Sequence, residues 1–113
     1  MQDLKQRTKR FALDVIHCCR GLPRGEEFSG IKYRLIKSSA STAANYRASQ
    51  RTTSKADFIS KLATVEEEPD ECLSWLECIK GLATGEHSEL NRLHSEANDL
   101  VSTVVASKKR ARE

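Results

Sequence analysis

The feature that most constrains the fold of this chain is an apolar stripe with heptad spacing that passes through a proline. Its members lie alternately 4 and 3 residues apart and are Phe58, Leu62, Val65, Cys72, Leu76, Ile79 and Ala83, with Pro69 at the one missing position. This spacing is typical of a helix packed against other helices. The stripe resumes in phase after Pro69, so we predict one helix of about 28 residues, roughly 42 Å long. Because proline removes a helical hydrogen bond, we expect a kink at Pro69 without a break.

Three further segments show helical apolar periodicity. The first runs from about Asp3, a suitable N-cap, to Arg20, and the Gly-Leu-Pro sequence at 21–23 ends it. The second begins near Glu26 and ends between residues 50 and 53. Its centre, residues 38–44, consists of seven small residues that allow a neighbouring helix to approach closely. The fourth follows the glycines at 81 and 85 and continues into the basic residues at 108–112.

Short connections between these segments favour antiparallel neighbours. We therefore predict an all-α, antiparallel up-down-up-down four-helix bundle that forms a single domain over residues 1–113. The 5 Gly and 2 Pro argue against a loop-rich or all-β design. No apolar stretch is long enough to span a membrane and no secretory signal is visible. We expect a cytoplasmic protein whose 4 cysteines are reduced thiols.

Charge is strongly segregated along the chain. Residues 1–55 hold 12 Lys and Arg against 4 acids, a net charge of +8. Residues 56–107 hold 3 bases against 11 acids, a net charge of −8, and residues 108–113 return to +3. One interpretation is that the two halves pair with each other or form solvated helix faces. The other is a basic surface that binds polyanions.

The chain carries none of the sequence motifs that would indicate catalysis or a cofactor. Phosphate-binding glycine loops, the HExxH zinc motif and the GxSxG nucleophile elbow are absent from the sequence. His17, Cys18 and Cys19 are consecutive, so on a helix they point in different directions and cannot converge on one metal ion. The acidic run at 66–71 could hold a divalent cation, but it also suits a solvated face or pairing with Arg34, Arg47 or Arg51. We expect no enzymatic activity, no metal and no cofactor.

Several short motifs follow one another in a recognisable order. They are Ser41-Thr42-Ala43-Ala44-Asn45-Tyr46-Arg47-Ala48, the segment Ser54-Lys55-Ala56-Asp57-Phe58, the run Glu66-Glu67-Glu68-Pro69-Asp70-Glu71 and the pair Trp75-Leu76. Together they resemble the bacterial four-helix-bundle proteins encoded in intervening sequences of 23S ribosomal RNA genes. The accessory variability proteins of diversity-generating retroelements belong to the same superfamily. The resemblance covers about residues 22 to 79.

The resemblance implies a ring-forming homo-oligomer, typically a homopentamer. For the retroelement branch it implies binding of RNA or DNA and of a reverse transcriptase. Carried over residue by residue, the motif positions are Asn45, Tyr46, Arg47, Asp57, Phe58, Glu68, Glu71 and Trp75. The chain departs from the family at Pro69, where a small helix-forming residue is usual.

We predict a non-enzymatic accessory protein that binds nucleic acid through phosphate contacts, with weak sequence specificity. The candidate residues are Arg34, Lys37, Arg47, Arg51, Lys55, Lys5, Arg7, Lys9 and Arg10. The alternative is a structural or adaptor oligomer that binds a protein partner without nucleic acid. A third hypothesis, a metal-dependent nuclease, is supported only by the acidic run, and no nucleophile or base lies near that run in the sequence.

Overall fold

The computed structural model describes residues 3–113, and these form four α-helices. The helices are α1 (Leu4–Arg20), α2 (Glu26–Ser49), α3 (Lys55–Leu82) and α4 (Ser88–Arg112), joined by three connections of five residues each. The predicted all-α class and the number of helices are confirmed. No helix in the described part of the chain is long and apolar enough to cross a membrane.

Local side-chain chemistry sets the helix starts. The carboxylate of Asp3 accepts the backbone N–H of Lys5 at 3.0 Å, and the hydroxyl of Ser54 accepts that of Asp57 at 3.1 Å. Both bonds satisfy amides that have no partner within the helix. Before α2 the chain turns at Gly25, whose φ of 142° is a conformation that residues with a Cβ rarely adopt.

The heptad stripe of α3 forms the centre of the core. Its interior members are fully buried, together with apolar side chains from the other three helices such as Phe11, Leu35, Leu93 and Leu100. Pro69 is itself buried on the same face, and α3 continues without interruption on both sides of it. The predicted continuity of the helix is therefore confirmed, and the proline ring fills the stripe position that the sequence pattern left vacant.

The small residues of α2 lie where it packs against α3. Ser38, Ser39 and Thr42 are buried, and each hydroxyl donates to a carbonyl one turn earlier in its own helix. The Sγ of Cys72 on α3 donates to the Oγ of Ser38 at 3.3 Å. Because these small side chains place their hydroxyl hydrogen bonds within α2, they allow the close approach of α2 and α3 that the sequence predicts.

The helices contact one another in chain order, and α4 returns to contact α1. The backbones of diagonal helices do not approach each other closely within the described residues, so the arrangement is an up-down-up-down bundle measuring 46 × 23 × 19 Å. At 17 residues α1 is shorter than its partners. The C-terminal turns of α4 therefore pack mainly against α3, where Val104 joins Leu62 and Val65 in a second small core cluster.

Candidate nucleic-acid interface

One end of the bundle gathers basic residues from segments that are distant in sequence. The C-terminus of α2, the connection to α3 and the C-terminus of α4 meet there, and Ala111 lines the same shallow cavity as Ser49 and Lys55. We call this surface the basic end, and its exposed bases are Arg51, Lys55, Lys109, Arg110 and Arg112. None of the five has an acidic partner within 4 Å in residues 3–113.

The basic end differs in charge from the opposite end of the bundle. Residues 46–61 and 105–113 each hold 4 Lys and Arg against 1 acid, which gives a net charge of +6 for the two segments. At the other end, residues 14–27 and 77–92 each hold 2 bases against 3 acids, which gives −2. The charge segregation along the sequence therefore becomes a charge difference between the two ends of the molecule.

The bases of α4 were not among the candidate residues chosen from sequence. The signal that could have identified them is the run Lys108-Lys109-Arg110. Bases at the C-terminal end of a helix also favour its dipole, so the run alone does not indicate a binding surface. Lys108 lies slightly apart from the others, since its Nζ pairs with Glu66 on α3 at 2.8 Å. This ion pair fixes the end of α4 against α3 and leaves the bases that follow it exposed.

A second basic surface lies between α1 and α2. We call it the basic groove and define it by Lys5, Lys9, Leu13, Ala40, Ala44 and Arg47, which line a depression of about 560 Å³. Its floor consists of alanines and Leu13, whose side chain is 48% exposed. Among residues 3–113, no acid lines the groove. Arg10 is exposed beside it, in a neighbouring depression shared with Asp14.

Arg7 does not belong to either free surface. Its guanidinium donates two bonds to Glu96 on α4, from Nε at 3.0 Å and from Nη2 at 2.6 Å. The bonds to Glu96 raise the pKa of Arg7, and the Arg7 side chain is only 21% exposed. Of the candidate residues on α1, Arg7 therefore holds α1 to α4, whereas Lys5, Lys9 and Arg10 face solvent.

Arg34 and Lys37 face the acidic side of α3. They line a cavity of about 430 Å³ with Glu68 and Glu71, and the guanidinium of Arg34 lies 5.8 Å from the ring centroid of Trp75. The indole Nε1 of Trp75 in turn donates to Glu71 at 3.1 Å. Burial, and then the neighbouring Glu71 and Glu67, raise the pKa of Glu68. Three residues of the family motif, Glu68, Glu71 and Trp75, thus lie beside Arg34 and Lys37. The negative charge of the two carboxylates offsets the positive charge of the two bases.

The remaining residues of the family motif pack in the core, bond within their own helix or lie in the first turn of a helix. Tyr46 and Phe58 pack against the cluster of Leu62, Val65 and Val104, and burial raises the pKa of the Tyr46 hydroxyl. The amide of Asn45 donates to the carbonyl of Ser41 at 2.8 Å within α2. Asp57 is exposed in the first turn of α3, where a carboxylate favours the helix dipole. The motif therefore combines packing positions with the charged contact between α2 and α3.

The four cysteines are free thiols in different surroundings. Burial raises the pKa of Cys72 to about 12 and that of Cys19 to about 11. Cys78 is exposed, on the other side of α3 from Cys72. The two therefore lie on different faces, as their spacing predicts.

Comparison with known proteins gives the chain a family. A comparison with curated proteins finds none that matches this chain. A solved structure with a similar fold is that of a protein of unknown function from the S23 ribosomal protein family of Bacteroides thetaiotaomicron. The two share 20% sequence identity and a TM-score of 0.85, over 95% of this chain and 99% of that one.

The family model for 23S rRNA-intervening sequence proteins matches residues 2–106, which is nearly the whole chain. The basic residues 108–112 lie beyond the matched region. The predicted family is confirmed: this chain belongs to the 23S rRNA-intervening sequence protein family.

Proposed function

We propose that this protein is a non-enzymatic accessory factor whose basic end binds the phosphate backbone of structured RNA, with weak sequence specificity. The observation that carries the proposal is the convergence of exposed bases from the α2–α3 connection, α3 and α4 on one end of the bundle, with no acidic partner within 4 Å among residues 3–113. A surface of this kind attracts a polyanion and releases its counterions on binding. The family supports an RNA associated with 23S rRNA intervening sequences as the natural ligand.

Weak specificity follows from the composition of the basic end. Lys and Arg contacts to phosphate position a backbone but do not read bases. The aromatic side chain that lines the shallow cavity at this end is Phe58. It is half-buried against the core, so little stacking of bases is available. DNA is expected to compete with RNA according to its charge density.

The proposal includes assembly into a ring of identical subunits, a homopentamer by resemblance to the superfamily. A ring would present several basic ends together and multiply the phosphate contacts available to one nucleic acid. A reverse transcriptase remains a predicted partner if the protein serves a retroelement.

Two double variants with a matched control test the basic end. Arg51→Ala with Lys55→Ala removes its α2–α3 bases, and Lys109→Ala with Arg110→Ala removes its α4 bases. Each is expected to weaken binding of a labelled structured RNA roughly tenfold or more at low salt, because two phosphate contacts are lost. The control, Arg24→Ala with Lys80→Ala, removes the same charge from exposed positions at the opposite end and should bind like the unaltered protein.

Equal losses in all three variants would show that net charge alone drives binding and would contradict a localised interface. No RNA binding by the unaltered protein at low salt would overturn the nucleic-acid proposal. The adaptor alternative would then become the leading explanation.

A further inference from the structure

The molecule carries an acidic surface that complements its basic groove. On α3, residues 62–76 hold five acids and no base. Glu67, Asp70 and Glu71 are exposed, and we call these three the acidic stripe. None of them lies within 4 Å of a basic side chain in the described part of the chain. Glu71 shares its cavity with the two bases of α2 described above, whereas Glu67 and Asp70 have no such neighbour among the described residues of the bundle.

The basic groove presents the opposite chemistry. Lys5, Lys9 and Arg47 surround a floor of small and apolar side chains. The alanines at 40 and 44 let a helix approach closely, and the exposed Leu13 offers an apolar contact. A phosphate backbone gains nothing from such a floor. A helix that presents carboxylates matches both the rim and the floor.

The two surfaces lie at the same height along the bundle. The hydrogen bond between Cys72 and Ser38 places residue 72 of α3 level with residue 38 of α2. Because α2 and α3 are antiparallel, Asp70 lies level with Ala40, and Glu67 level with Ala43, to within about one helical turn. A second copy can therefore bring its stripe to the groove by sideways displacement, with little shift along the axis.

We infer that the basic groove binds the acidic stripe of a second copy of this chain. The contact is head-to-tail, since each copy uses its groove for one neighbour and its stripe for the other. The groove lies between α1 and α2 and the stripe lies on α3, so successive copies turn relative to one another. Rotation with little axial rise closes such a contact into a ring, whereas a large axial step would produce a filament.

This inference rests on the proposed ring assembly and identifies the two faces that form it. It also divides the bases by role. Lys9 and Arg47 hold neighbouring subunits, whereas the bases of the basic end remain free in every copy. Because the copies share one axial direction, all basic ends lie on the same side of the ring.

Charge reversal on each face tests the contact. Lys9→Glu with Arg47→Glu makes the groove acidic, and Glu67→Lys with Asp70→Lys makes the stripe basic. Each double variant is expected to weaken self-association at least about a hundredfold, because like charges then meet across the interface. The four substitutions combined in one chain restore opposite charges and should restore assembly.

Light scattering coupled to size exclusion, at several protein concentrations, gives the mass as a multiple of 12.7 kDa. Circular dichroism establishes that each variant is folded. Arg24→Glu with Lys80→Glu is the matched control: it changes the net charge as the groove reversal does, away from both faces, and should assemble normally.

A monomeric unaltered protein, or unchanged assembly of either double variant, would overturn the inference. So would a quadruple variant that is folded but stays monomeric. Assembly and RNA binding are measured separately and depend on different residues. Loss of RNA binding with intact assembly contradicts only the proposed nucleic-acid role, and normal assembly of the reversed variants contradicts only this contact.

Discussion

At the scale of single residues, the most informative side chains are ionisable groups whose surroundings change their behaviour. Cys72 is a buried thiol held in its neutral form, and Arg7 is a guanidinium held by Glu96. Glu68 is a carboxyl that burial and neighbouring acids make harder to ionise. The effects on Cys72 and Arg7 follow from contacts between helices and have no signature in the local sequence. The acids that act on Glu68 belong to the acidic run of its own helix.

The thiols should react in the order of their exposure. Thiolates are the reactive form, so the buried Cys72 and Cys19 are expected to resist alkylation in the native protein. The exposed Cys78 should be modified first, with Cys18 slower. Mass spectrometry of peptides after timed alkylation measures the order, and Cys78→Ser should remove the fastest reaction. Rapid native labelling of Cys72 would contradict the packing of α2 against α3.

Glu68 predicts a pH-dependent effect on stability. Because its pKa is raised in the folded state, its ionised form destabilises the fold, and this penalty disappears as pH falls through the raised pKa. Glu68→Gln is therefore expected to stabilise the protein modestly at about pH 7, and the gain should shrink towards zero near pH 4. Urea unfolding followed by Trp75 fluorescence, at both pH values, measures the free energy of unfolding of each protein.

Glu86→Gln, an exposed control in the α3–α4 connection, should show little change at either pH. A gain for Glu68→Gln that grows on acidification would show that the cause assigned to the shift is wrong.

At the scale of the helices, periodicity was enough to predict the elements and their order. The α3 stripe, the N-cap Asp3 and the small residues of α2 all had the structural roles that their patterns indicate. Partners across helices were predictable only in part: the acidic run shares a cavity with Arg34, one of the bases considered for it. Glu66 pairs with Lys108 rather than with a base of α2, and Arg34 lies over Trp75, because such contacts depend on the rotation and axial offset of whole helices.

Pro69 should be a costly but tolerated element of α3. Proline inside a helix costs about 3 kcal/mol, whereas removing two buried methylenes costs about 1.6 kcal/mol. Pro69→Ala is therefore expected to stabilise the protein by about 1–2 kcal/mol, measured as a rise in the free energy of unfolding in urea. Destabilisation by Pro69→Ala would mean that the buried ring contributes more packing than the backbone loses.

The small residues of α2 should tolerate enlargement only where they are exposed. Ser38→Leu places a large side chain against α3 and is expected to lower stability by about 1–3 kcal/mol through overpacking. Ser29→Leu makes the same chemical change at an exposed position of α2 and should leave stability nearly unaltered. Thermal unfolding of both variants measures the difference. Equal midpoints would contradict the close approach of α2 and α3.

At the scale of the whole molecule, the account depends on how charge is distributed in three dimensions. The first half of the chain is basic, but folding separates most of the candidate bases into three groups. Arg7, Arg34 and Lys37 meet carboxylates, Lys9 and Arg47 flank a groove, and Arg51 and Lys55 join the α4 bases. The last group could not be assembled from sequence, since it requires the end of α4 to pack beside the α2–α3 connection.

The most direct test of the central claim is the salt dependence of RNA binding. We expect the affinity of the unaltered protein for a labelled structured RNA to fall steeply between about 50 and about 200 mM salt. The slope of log affinity against log salt should become shallower by about 1.4–1.8 in Arg51→Ala with Lys55→Ala, as two released phosphate contacts require. It should stay unchanged in Arg24→Ala with Lys80→Ala. Binding that is insensitive to salt, or an identical slope in the basic-end variant, would contradict the account.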